Sequence, residues 1–199
     1  MQAMRSRDPA KERAVRDHAI DMVVKGGFDG LSMQKLAEAA GVSPATIYIY
    51  FKDRDDLLLR IYEEESTRMA AVTLDGFDPE MHFDEGLARQ WKNRARYCIQ
   101  HPRQAHFLEQ MRYSPLAVRC EKLKHPFVKV MRTFVENAIR RGELVRMPVE
   151  VYWSVAFSPL YQLLKFHMNG RGMPGTDRFV LDDAILDQTL KLVLKALTP

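Results

Sequence analysis

Cysteine is scarce in this chain: Cys98 and Cys120 are the only two among 199 residues. Two are too few for a disulfide framework, and neither lies in a CxxC pair or a Cys/His cluster of zinc-ligand spacing. No apolar run approaches the ~18–20 residues of a membrane span. The opening MQAMRSRDPAK is basic and lacks the apolar segment of a secretory leader. These absences lead to the expectation of a chain in the reducing cytoplasm with no membrane partner. Enzyme signatures are missing as well: no GxSxG, phosphate loop, GxGxxG or HExxH occurs. The six histidines are scattered. His101 and His106 are five apart and do not share a helical face, and His18, His82, His125 and His167 stand alone. The expectation is therefore no catalytic residue, no metal and no cofactor. What is present is an ordinary globular composition, 46% hydrophobic and 28% charged, long enough to bury a sizeable core.

One stretch organises the rest, LSMQKLAEAAGVSPATIYIYFK from Leu31 to Lys52. Met33, Leu36, Ala37 and Ala40 recur at i, i+3, i+4 and i+7, one face of a helix. Gly41 follows where a left-handed C-terminal cap is needed. Ser43 stands at an N-cap position, and Pro44 at the first helical position, where its missing N–H costs nothing. In the short helix that follows, Ile47 and Phe51 face inward, which leaves Ala45, Thr46, Tyr48, Ile49 and Tyr50 over the remaining surface. Helix, glycine turn, helix is the layout of a DNA-reading helix-turn-helix. Outward tyrosines with Lys52 at the helix end suit a surface that meets sugar, phosphate and thymine methyls.

From about Arg13 to Leu59 the chain closely resembles the N-terminal domain of TetR-family transcriptional regulators. The residues that carry the resemblance include Ala19, Gly27, Phe28, Leu31, Ser32, Leu36, Ala37, Ala40, Gly41, Val42, Ser43, Thr46, Ile47, Tyr48, Tyr50, Phe51, Lys52 and Leu57. The resemblance implies DNA contacts. Ser32 and Gln34, at the start of the first of the two helices, would hold phosphate, with Gln34 the best candidate for a bidentate base contact. Ser43, Pro44, Ala45, Thr46, Tyr48, Ile49 and Tyr50 match positions on the reading helix, and Lys52 and Arg54 suit phosphate. No Arg or Asn stands on that helix, so bidentate readout from it is limited.

The remainder is helical in pattern and names no subgroup. A first helix is expected from about Pro9 to Lys25, stopped by Gly26-Gly27, after a basic arm carrying Arg5 and Arg7. A fourth starts at Asp53 and runs to about Leu74. Phe83, Leu87, Trp91, Ala95 and Cys98 mark a fifth, ending at His101-Pro102. Phe107, Leu108 and Met111 mark a sixth, and Phe127 to Ile139 a seventh. Val149 to Met168 is apolar on nearly every side, which predicts burial all round, one side in the core and the other against a second subunit. A last helix spans about Asp182 to Leu197, with Ile185, Thr189, Leu192, Val193 and Ala196.

Charge is uneven. Lys and Arg exceed Asp and Glu by two over residues 1–52 (eight against six) and by ten over 86–146 (fourteen against four); over 53–85 they fall short by eight (three against eleven). The DNA-reading segment is thus only weakly basic and must rely on placed contacts and dimerisation. The basic middle segment either pairs with the acidic one, faces water, or meets an anionic effector such as an acyl thioester or an aromatic acid.

The expected fold class is all-α, with about nine helices. An N-terminal three-helix helix-turn-helix DNA-binding domain (1–52, with helix 4 at about 53–74 as the link) precedes a C-terminal helical effector-binding and dimerisation domain (53–199). The resemblance implies a homodimer joined through about 149–168 and 182–197, a double-stranded operator, and a small-molecule effector. Trp91, Phe107, Met111, Met131, Phe134, Trp153, Phe157 and Tyr161 could line its cavity, with His106, Gln110, Tyr113 and Asn137 as polar anchors. A DNA-binding protein that needs no effector is the alternative, recognisable by the lack of a sizeable cavity.

Overall fold

A computed structural model describes residues 8–121, 126–175 and 178–199; Arg5, Arg7 and His125 lie outside them. The described residues form ten helices and no strand: α1 Pro9–Gly30, α2 Met33–Ala39, α3 Pro44–Tyr50, α4 Arg54–Thr73, α5 Phe83–Gln100, α6 Pro102–Arg112, α7 Ala117–Glu121, α8 Pro126–Arg140, α9 Val149–Asn169 and α10 Asp183–Leu197. The chain is all-α, with one helix more than the sequence pattern suggested, because the segment after Pro115 forms its own short helix, α7.

By their contacts the described residues group into two units, those within 1–68 and 103–124, and those within 69–102 and 125–199. This packing divides the chain differently from a functional boundary at residue 52, since α4 contributes residues to both units and most of α6, with α7, packs in the first.

The first unit is built on a core of Val15, Ala19, Ile20 and Val23 from α1, Leu36 and Ala37 from α2, Ile47 and Tyr50 from α3, and Leu57, Leu58 and Ile61 from α4. Phe107, Met111, Leu116 and Cys120 complete it from the α6–α7 side. Arg103 on α6 pairs with Asp21 on α1 at 2.7 Å, and Arg119 on α7 with Asp55 on α4 at 3.0 Å. Asp8 caps α1 by accepting the Ala10 N–H at 2.9 Å. Gly27, with φ 65° and ψ −171°, breaks that helix where the sequence placed the stop, and one further turn follows to Gly30.

The second unit packs α5, α8, α9 and α10 around Phe83, Leu87, Trp91, Phe134, Tyr152, Phe157, Leu160, Leu164, Leu190 and Val193, all buried. Phe134 stands edge-on to Phe77 at 5.0 Å and stacked on Phe83 at 5.8 Å. Gly86 on α5 makes room for that ring: a Cβ there would press into Phe134, well inside van der Waals contact, and lie 3.3 Å from Phe77. The last carbonyls of α4, orphaned at any helix end, are met by buried amides: Gln90 and Asn93 donate to the Thr73 carbonyl at 3.2 and 3.0 Å, and Asn93 also to Asp75 at 2.8 Å. α9 runs through Pro159 and buries Tyr152, Ala156, Phe157, Leu160 and Leu164. Within this chain it is not buried all round: Val149, Val151 and Met168 are exposed, as is Leu192 on α10. One stripe of α9 meets α5 and α10, and the opposite side, which the sequence reading gives to a second subunit, is open in the single chain.

Candidate nucleic-acid interface

The turn between α2 and α3 is fixed by its own backbone. The Val42 N–H reaches the Ala37 carbonyl at 2.9 Å and the Gly41 N–H the Glu38 carbonyl at 3.1 Å, the paired bonds that close a helix on a left-handed residue. Gly41 holds that residue's φ at 64°, where a side chain would be strained. Both helices carry serine caps. Ser32 accepts the Lys35 N–H at 3.2 Å, and Ser43 accepts the Thr46 N–H at 3.2 Å while its hydroxyl lies 2.9 Å from that of Thr46. Each cap is worth about 1 kcal/mol. At seven residues, α3 is far too short to hold its shape alone. Its caps and the burial of Ile47 make it rigid.

Ile47, Tyr50 and Phe51 stand at i, i+3 and i+4, and all three are buried. Tyr50 therefore does not face outward, as was expected. Its hydroxyl accepts the Asp8 N–H at 2.8 Å and lies 3.3 Å from the Asp8 carbonyl, so it ties the start of α1 to the end of α3. The helical spacing itself was the available signal. The exposed face of α3 consists of Pro44, Ala45, Tyr48 (53% exposed) and Ile49 (37% exposed), with Ser43 before it and Thr46 half-buried. Gln34 and Lys52 are exposed and Ser32 half-buried.

Arg54 also departs from expectation. Its guanidinium donates to the Phe28 carbonyl at the end of α1, and its Nε is buried without a partner, so it braces the domain instead of presenting a free charge. Asp53 caps α4 by accepting the Asp56 N–H at 2.8 Å, and Asp56 in turn accepts the Lys52 N–H at 3.0 Å. Burial would raise the Asp56 carboxyl, but the Lys52 amide and the Arg60 guanidinium outweigh it and hold the group below its ordinary value. Phe51 lies beneath two cations, Arg16 and Arg60, each 5.8 Å from the ring centroid. The exposed tyrosine and isoleucine thus stand on a braced support.

Residues 15–61, which span α1 to the middle of α4, match the family described as bacterial regulatory proteins, tetR family. A TetR family transcription regulator from Marinobacter aquaeolei VT8 matches at 28% identity over 98% of each chain, with a TM-score of 0.78. The chain thus carries a TetR-family DNA-binding domain and is similar to a TetR family transcription regulator over its whole length. This is a family of DNA-binding regulators, not enzymes. An HTH-type transcriptional regulator of Haemophilus influenzae is 36% identical over 72 residues, 36% of this chain and 38% of that protein. The fatty acid metabolism regulator protein of Bacillus subtilis is 33% identical over 55 residues, 28% of each chain. The chain thus spans about a third of the length of these two curated relatives.

The expected effector residues fall in two places. Phe107 and Met111 are core residues of the first unit; Trp91, Met131, Phe134, Trp153, Phe157 and Tyr161 belong to the second. Trp91, Phe134 and Phe157 are fully buried, and Trp91 donates its indole N–H to the Ala156 carbonyl at 2.8 Å. Of the polar anchors, His106 and Gln110 bond one another at 3.1 Å, Tyr113 is 81% exposed, and Asn137 donates to Pro79 and Glu80. The sequence reading missed Arg94. It is 3% exposed and surrounded by the rings of Phe127, Trp153 and Phe157. Trp91, Arg94, Ala95 and Cys98 stand at i, i+3, i+4 and i+7, so a charge on the apolar stripe was the signal. Three residues of the basic segment pair with the acidic one, through Arg96–Asp75 at 2.7 Å, Arg119–Asp55 at 3.0 Å and Arg141–Glu80 at 4.0 Å. Among the described residues no helix is long and apolar enough to cross a membrane, and no cluster of three or more metal-ligating side chains occurs.

Proposed function

We propose that this regulator is a homodimeric, ligand-responsive repressor acting in the cytoplasm. Two copies of α3 would enter successive major grooves about 34–36 Å apart on a near-palindromic operator. The observation that carries this reading is the face of α3, where Tyr48, Ile49, Pro44 and Ala45 are exposed on a helix braced from behind. Ala45 and Ile49 suit thymine methyls. Tyr48, Thr46, Ser43, Ser32 and Lys52 suit phosphate, and Gln34 an adenine edge. Tyr50 and Arg54 would hold this surface in place without touching DNA.

The open apolar residues of α9 and α10, Val149, Val151, Met168 and Leu192, support a subunit interface formed by about 149–168 and 182–197. An effector bound among Trp153, Tyr161, Met131 and their neighbours would act through α4, and it must favour one of two states to shift operator affinity. The test is titration of a near-palindromic duplex with and without candidate effectors, alongside sedimentation. A protein that sediments as a monomer and ignores every duplex at low salt refutes the reading.

A second reading, DNA binding without an effector, is favoured by the complete burial of Trp91, Phe134 and Phe157. Operator affinity that no small molecule changes would decide for it.

A further inference from the structure

Arg94 carries a charge that cannot be shed, since a guanidinium stays protonated in proteins. It is 3% exposed. Of its five N–H groups, one donates to the Tyr161 hydroxyl at 2.8 Å and one reaches Gln90 Oε1 at 3.4 Å. The Nε is buried with no partner, and no carboxylate forms an ion pair with Arg94 among the described residues. Three rings surround it, with centroids at 4.4 Å (Phe157), 5.2 Å (Trp153) and 5.3 Å (Phe127). Rings compensate part of a cation's lost hydration but supply no acceptor for its N–H groups. A second orphan sits in the same unit: the Tyr152 hydroxyl is buried without a partner. Burial pushes it above its ordinary range, with the Arg94 charge pulling against that shift, so it stays a protonated donor.

We propose that Arg94 anchors the carboxylate of an apolar monocarboxylic acid bound inside the second unit, with Tyr161 and Tyr152 as hydroxyl donors and Trp153, Phe157 and Phe127 against the apolar body. One buried guanidinium balances one negative charge, which selects a monoanion over a phosphate dianion or the polyanionic head of an acyl thioester. Phe127, Trp153 and Tyr161 are half-buried, so the guanidinium is covered by side chains that can rotate aside. The inference rests on the reading of this unit as an effector domain.

The test measures binding without DNA, on the full chain, by calorimetry and thermal shift. The probes are benzoate, phenylacetate, octanoate and decanoate, each against its primary amide. At least one acid binds and raises the Tm, and its amide binds at least about tenfold more weakly. Arg94→Met loses that acid's affinity by at least about tenfold while its helical circular dichroism is kept. Should Arg94→Met fail to fold, Arg94→Lys keeps the charge but not the planar fork, and binds the acid several-fold more weakly. Amides that bind as well as the acids, an unchanged affinity in the folded variant, or no binding by any probe at millimolar concentration overturns the assignment. An acid that binds through Arg94 yet leaves operator affinity unchanged keeps this site and removes the effector reading. Operator release by neutral or cationic molecules alone does the reverse.

Discussion

In the first unit Arg16, Arg60, Arg103 and Arg119 each meet a carboxylate, on Glu12 and Glu64, Asp56, Asp21 and Asp55 respectively. In the second, Arg94 is buried more deeply than any of these and meets none. The difference extends to the backbone. Around α2 and α3 the turn, caps and stops are made by residues three to five positions apart. In the second unit the decisive contacts join distant segments, as when Trp91 reaches Ala156 or Glu143 reaches Phe83. Local bonds write a rigid presenting surface directly into the sequence. Long-range packing encloses an interior whose chemistry depends on which side chains the fold brings together.

Filling the tightest long-range contact should have the largest effect. Gly86→Ala puts a methyl into the Phe134 ring, and we expect a loss of about 3 kcal/mol in chemical denaturation. Adding Phe134→Leu should recover part of that loss. A Gly86→Ala protein as stable as the parent would show that α5 and α8 are not locked by this contact.

The counterpart in the first unit concerns presentation. Tyr48→Ala should weaken operator binding by about 1–3 kcal/mol with little change in Tm, because the ring is more than half exposed. Val145→Ala, also at an exposed apolar residue but in the second unit, should leave operator affinity unchanged. Equal effects of the two substitutions would remove α3 from its assigned role.

Most of the first unit was legible because its signals are short. Gly41, Ser43 and Pro44 each state their backbone role by type and position, and all three are found in those roles; the capping role of Ser32 was not read from the sequence. The misses came from treating surface as what remains after the obvious core residues are chosen. Tyr50 shares the i, i+3, i+4 stripe of Ile47 and Phe51 and went inward; Arg54 was assigned by its charge, yet it braces Phe28. In the second unit the helices could be read from periodicity, but their neighbours could not. Nothing about Trp153 or Phe157 in sequence says that they would enclose Arg94, since that depends on how α5 and α9 meet. The open stripe of α9 is the side that an all-round apolar pattern leaves for something beyond the single chain's own core.

A smaller effect should follow from breaking a local bond. Ser43→Ala removes the acceptor for the Thr46 N–H and should cost about 1 kcal/mol of stability, with Ser43→Gly costing only a few tenths. If alanine and glycine cost the same, the cap hydroxyl does not hold the helix start.

The smallest effect expected is pH-dependent and belongs to the second unit. Glu143 accepts the Phe83 N–H at 3.0 Å at the start of α5 and lies 2.7 Å from His82 Nδ1 and 3.0 Å from Arg141 Nε. The Arg141 hydrogen bond, with those from His82 and Phe83, draws its carboxyl from 4.5 down to about 2 against the opposing effect of burial. A carboxyl depressed by folding contributes stability above its unfolded value and loses it as pH falls toward the folded one. Glu143→Gln should therefore lower stability at neutral pH by up to about 1 kcal/mol, the partly exposed pairing being screened by water. The gap between parent and variant should narrow between about pH 4.5 and pH 2. A gap in Tm that stays constant across that range would mean that the glutamate acts through its shape and hydrogen bonds alone, leaving the long-range contact in place but not its charge.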